Sequence, residues 1–116
     1  MKLKLITAVA ALVACSGALA EIDFDYWKTL GECSGLYLSG DMKSGPDFDS
    51  GQRISELVRK EKLKLNSDDA FTAGYFYGMS QASTQGFFIT ERQYHADSDG
   101  EAHRLKSIIE KGCERL

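Results

Sequence analysis

The sequence predicts an all-α fold, a small bundle of about four helices closed by one disulfide. Three observations carry this. Apolar residues recur every three or four positions in four separate stretches, the period of a helix face rather than of a strand. Short turns rich in Asp, Ser, Asn and Gly separate those stretches, and the single proline, Pro46, lies in one of them. Two cysteines, Cys33 and Cys113, fall on the apolar faces of the first and last stretches.

Residues 1–20 read as a signal peptide and are set aside from the fold. Lys2 and Lys4 make a basic start, and the mostly apolar run at 5–14 is shorter than the roughly 20 residues a membrane span needs. Ala18-Leu19-Ala20 is a small-x-small cleavage site, which leaves residues 21–116 as a single periplasmic or secreted domain. Leu12-Val13-Ala14-Cys15 fits the alternative, an outer-membrane lipoprotein anchored through Cys15, but no long polar spacer follows it. Cleavage after Ala20 is therefore the preferred reading. In an oxidising compartment the two remaining cysteines are expected to pair, enclosing almost the whole domain.

The first helix is expected at 25–39, with Tyr26, Leu30, Cys33 and Tyr37 on one face and the turn at 41–46 ending it. The second, at 50–65, opens on Asp49-Ser50-Gly51-Gln52, an acidic cap with Gln three residues on, and carries Ile54, Leu57, Val58 and Leu65. Asn66-Ser67-Asp68-Asp69 caps the third, expected at 68–85. Residues 87–95 allow either its continuation after a bend at Gly86 or a short strand. The fourth starts at Ser98-Asp99-Gly100-Glu101 and places Ala102, Leu105, Ile109, Cys113 and Leu116 at helical spacing.

Ala70, Gly74, Gly78, Ala82 and Gly86 recur every fourth residue in the third helix, and Gly31 and Gly35 do so in the first. Glycine inside a helix costs up to about 1 kcal/mol relative to alanine. The expected compensation is close packing of Gly31 and Gly35 against Gly74 and Gly78, ridge into groove. An irregular third helix is the alternative.

Chemistry is sparse. His95, Asp97, Asp99, Glu101 and His103 cluster, but the calcium-loop register fails at both ends, and Glu101 and His103 point to different sides of a helix. The cluster reads as an acidic turn and cap, with His95, Asp97, Asp99 and His103 only weak metal candidates. Gly78-Met79-Ser80-Gln81-Ala82 imitates a nucleophile elbow without the strand that such an elbow needs. No enzyme activity and no cofactor are expected. Without the leader, 12 basic side chains stand against 17 acidic ones, a net charge of −5, which argues against nucleic-acid binding. The basic run at 59–64 suits a helix C-terminus or, alternatively, docks an acidic partner or an anionic lipid.

The best functional candidates are aromatic. Phe71, Tyr75, Phe76 and Tyr77, with Met79, encircle the third helix, either because it is buried on all sides or because part of it is a partner-binding surface.

Cys33, the segment Gly74-Tyr75-Phe76-Tyr77-Gly78 and the final helix bearing Cys113 together resemble the HdeA-like group of small periplasmic helical proteins. The resemblance implies acid-stress chaperoning, in which the folded form opens in acid and binds unfolding clients. Protonation would swing the domain from −5 to about +14, which favours loosening by self-repulsion. The competing expectation is an inhibitor or immunity protein that plugs one toxin or wall-degrading enzyme.

Overall fold

The computed structural model describes residues 22–40, 44–94 and 97–116, so the leader with Cys15 and Ala20, and also His95, lie outside the described residues. Four α-helices follow one another: α1 (Phe24–Ser39), α2 (Phe48–Lys62), α3 (Ser67–Tyr94) and α4 (Asp97–Glu110). A short 3-10 turn, Cys113–Arg115, ends the chain. No strand occurs among the described residues.

Each of the first three helices begins at a side-chain cap. Asp23 accepts from the Tyr26 amide at 3.1 Å. Asp47 accepts from both the amide (3.1 Å) and the hydroxyl (2.7 Å) of Ser50. Asn66 accepts from the Asp69 amide at 2.8 Å, and its own amide donates back to the Asp69 carboxylate at 3.0 Å. The α2 cap is thus Asp47 rather than Asp49. Pro46 cannot donate to a helix and favours an extended residue before it, so the helix opens directly after the Pro46-Asp47 turn.

The helices run up, down, up and down. Gly51 of α2 packs on Leu38 near the end of α1. Gly31 and Gly35 lie against Tyr77 to Gln81 and Gln81 to Gln85 of α3, so α1 and α3 are parallel. Arg104 reaches Leu36 while Cys113 bonds Cys33, which makes α4 antiparallel to α1. The helix in the middle is therefore α1. Leu30, Cys33 and Leu36 are wholly buried, with Trp27 and Tyr37 nearly so, and Ile54, Val58, Ala73, Phe88 and Ile108 close around them. Burial of each large aliphatic side chain here contributes about 1.5–3 kcal/mol.

Of the two readings of 87–95, continuation of the third helix is the one observed, because α3 runs through Gly86 to Tyr94 with no strand. Phe88 extends the stripe Ala73, Tyr77, Gln81, Thr84 that faces α1, and the His103 ring of α4 lies 5.1 Å from its ring. Other expectations need correction. The most deeply buried helix is α1, not α3: from Leu30 to Ser39 none of its residues is exposed.

The close packing is also one-sided. A Cβ on Gly31 would overlap the Tyr77 carbonyl oxygen and stand 2.7 Å from Ser80 Cβ. One on Gly35 would stand 2.7 Å from the Gln81 carbonyl oxygen and 2.9 Å from the Gln85 nitrogen. By contrast, a Cβ on Gly78 or Gly86 would meet nothing within 4 Å, and one on Gly74 would meet only the Lys62 side chain, at 3.2 Å. The α1 glycines receive the backbone of α3, while the α3 glycine ridge is turned away from α1.

Opposite outcomes are therefore expected for two identical substitutions. Gly31→Ala should destabilise the fold by about 1–3 kcal/mol through overpacking against backbone that cannot yield. Gly78→Ala should stabilise it by about 0.5–1 kcal/mol through helix propensity. Chemical denaturation of the two variants checks both signs.

Accepting the Ser50 amide and then its hydroxyl holds the Asp47 carboxyl below its ordinary value, with burial opposing. A lowered folded-state pKa stabilises the fold above the unfolded value of 3.8, and that contribution is lost as pH falls through the folded one. Asp47→Ala should cost about 1 kcal/mol near pH 7. Thermal melts should show the difference vanishing in strong acid.

Candidate docking surface

Polar clamps hold α4 and the chain end against α1, and they define which faces stay open. The Cys33–Cys113 bridge is wholly buried, with 5.5 Å between Cα atoms. Arg104, itself buried, donates to both carboxylate oxygens of Glu101 (3.0 and 2.6 Å) and to the Leu36 carbonyl (3.0 Å). Arg53 of α2 donates to the carbonyls of Cys113 (3.2 Å) and Glu114 (3.3 Å) and to the Tyr37 hydroxyl (3.3 Å). Lys111 pairs with Glu32 at 2.5 Å. Burial raises the Tyr37 hydroxyl above its ordinary pKa, with the Arg53 charge opposing.

These clamps overturn the expected apolar face of the fourth helix. Ala102, Leu105 and Ile109 point outward, and Leu105 and Ile109 are 48 % and 68 % exposed. The buried side is Gly100, Arg104, Ser107 and Ile108. Cys113 does not share the α4 helical phase, because α4 ends at Glu110 and Gly112 turns the backbone left-handed (φ 67°) before the 3-10 turn.

Of the aromatic candidates, Tyr77 belongs to the interior seam. Its hydroxyl donates to Ser34 Oγ at 3.2 Å, and the Gln81 amide donates to the same atom at 3.0 Å, so the buried serine is satisfied. The others stand outside. Phe71 is 77 % exposed, Tyr75 56 % and Met79 51 %, and their spacing of four places them along one line of α3. Phe76, beside that line, packs on Phe24 with the rings tilted and 4.9 Å apart, and meets Tyr75 edge-on at 5.9 Å. The outcome is an aromatic band carried by the N-terminal half of α3 and the start of α1. Phe48 of α2 and Leu63, its C-cap, are further exposed apolar side chains that sequence reasoning missed. Leu63 lay inside the basic run, and Phe48 precedes the cap expected for α2.

Of the four metal candidates, only the side chain of His103 is described. His103 Nδ1 contacts both oxygens of Glu91 (2.9 and 3.0 Å) and lies beside the Phe87 and Phe88 rings. Of Asp97 and Asp99 only the helical backbone is described. No group of three or more potential ligands that could hold a metal occurs among the described residues. Ser80 sits mid-helix beneath Gly31. No helix among the described residues is long and apolar enough to cross a membrane.

Comparison with protein-family models, with curated proteins and with solved structures gives no match.

A bridge between residues 80 apart in sequence constrains the unfolded chain strongly. Reduction should remove up to about 4–5 kcal/mol by the loop-entropy relation. Thermal melts with and without reductant should show a drop of tens of degrees, or no folded baseline at all in the reduced sample.

Proposed function

We propose that this chain is a non-enzymatic, exported protein-binding domain whose aromatic band on α3 docks a protein partner in the folded state. The observation that carries this reading is the exposure of Phe71, Tyr75 and Met79 in line on a helix whose opposite face is locked onto α1. Large exposed apolar patches on a folded scaffold mark interaction sites, and Phe, Tyr and Met are favoured in interface cores. Because the band is presented without any opening, the inhibitor or immunity type of partner binding is favoured over clients bound only after acid unmasking. Free release after Ala20 remains the preferred address, with a tether at Cys15 as its alternative.

A hydrophobic dye tests the reading. The oxidised protein should bind it near neutral pH, with full helical signal, and the double variant Phe71→Ala/Tyr75→Ala should lose most of that binding with an unchanged melting temperature. Dye binding only in acid, together with loss of fixed structure, would return the argument to acid-stress chaperoning. A dye-silent protein at both pH values would sink the docking surface. With a partner in hand, the same double variant should weaken binding by about 30-fold or more, the effect of losing one anchor side chain.

A further inference from the structure

The seam between α2 and α3 is thinly closed. Both helices lean on α1 but scarcely touch each other, and two clefts open between them. One, of about 410 Å³, is floored by Leu38 and walled by Phe48, Gln52 and Gln81. The other, of about 450 Å³, is walled by Val58, Leu63 and Ala70 together with Arg59 and Lys62. Ser55 lines both, so the two clefts adjoin in a trough, and their lining on α2 and its C-cap runs from Phe48 to Leu63, about 22 Å at 1.5 Å per residue.

Charge gives the trough a direction. Lys64, Lys111 and Arg104 each pair with a carboxylate. Arg59 and Lys62 have no such partner among the described residues, although Lys62 is half-buried with its amine laid over Gly74. Cations left unpaired beside apolar walls, on a chain with 17 acidic against 14 basic residues, complement a negative group from outside.

Spacing indicates the form of that group's carrier. The two clefts centre near Gln52 and Arg59 of α2, seven residues and about 10 Å apart, which matches side chains at i and i+7 on another helix. Phe71 follows Ala70 in sequence and is itself exposed, but it lines neither cleft.

We propose that the α2–α3 trough seats an acidic amphipathic helix of a protein partner. Its apolar face lies on Leu38, Phe48, Val58 and Leu63, and its carboxylates pair with Arg59 and Lys62. The proposal rests on the docking reading above and specifies the partner chemistry.

The test uses two synthetic helical peptides that share a leucine stripe, one flanked by Glu and one by Lys. Each is titrated into the isotopically labelled, oxidised protein. The Glu peptide should bind at least about 10-fold more tightly, the discrimination of one or two close charge pairs, and move the amide signals of Ser55, Arg59, Lys62 and Gly74. The variant Arg59→Glu/Lys62→Glu should reverse the preference while keeping its full helical signal at the temperature of the titration.

Equal binding of both peptides, with shifts confined to Phe71, Tyr75 and Met79, would overturn the trough and leave the aromatic docking surface standing. No shifts at either place would overturn both. Two other occupants would also overturn it: trough shifts and dimer mass appearing on concentrating the protein alone, or oleate outcompeting the Glu peptide.

Discussion

The contact between Gly31 and Gly35 of α1 and the backbone of α3 is the constraint on which the remaining packing depends. With no side chain at either position, the two helices meet at the distance of backbone carbonyls and amides rather than of side-chain tips. At that separation Tyr77 and Gln81 both reach the buried Ser34 hydroxyl. The conformational cost of two glycines inside a helix, about 1 kcal/mol each, is offset by this contact and by the buried hydrogen bonds it permits. Because α3 covers one side of α1 so closely, α2 and α4 are left to cover the others, and from Leu30 to Ser39 α1 has no exposed residue.

The fourth helix is held in a different way. Its inner side carries Arg104 and Ser107 as well as Ile108, and its position is set by directional bonds: the guanidinium to Glu101 and the Leu36 carbonyl, the Lys111–Glu32 pair and the bridge to Cys33. Arg53 reinforces the same corner by taking two carbonyls of the terminal turn. Such bonds fix orientation more sharply than apolar contacts, which are non-directional. The consequence is visible on the outside, where Leu105 and Ile109 remain exposed although their spacing suits a core.

A scaffold stapled at one end by a buried disulfide and locked along one seam can carry apolar side chains on its surface and still keep a single fold. The band is carried by α3 and the start of α1, and the trough by α2 with parts of α1 and α3. Shape and charge in the trough complement each other: apolar walls, unpaired cations within, and a length comparable to a short helix. These features are the basis of the proposed role in binding a protein.

Much of this was legible in the sequence. The helical period of four stretches, the caps at their starts and the parity of the cysteines are local signals, and local signals survive translation into structure because helix hydrogen bonds and caps involve residues three or four apart. The all-α class and the Cys33–Cys113 bridge follow from them. Which helix is central, which face of α4 is buried, and where the glycine ridge of α3 points were decided only in the tertiary structure. Periodicity reports that a face exists but not which neighbour covers it. Aromatic residues all round α3 read equally well as burial or as display, and only the competing demand of α1 for cover distinguishes them. Gly112 shifts the phase between α4 and Cys113, so a stripe drawn through both on the sequence never forms in space.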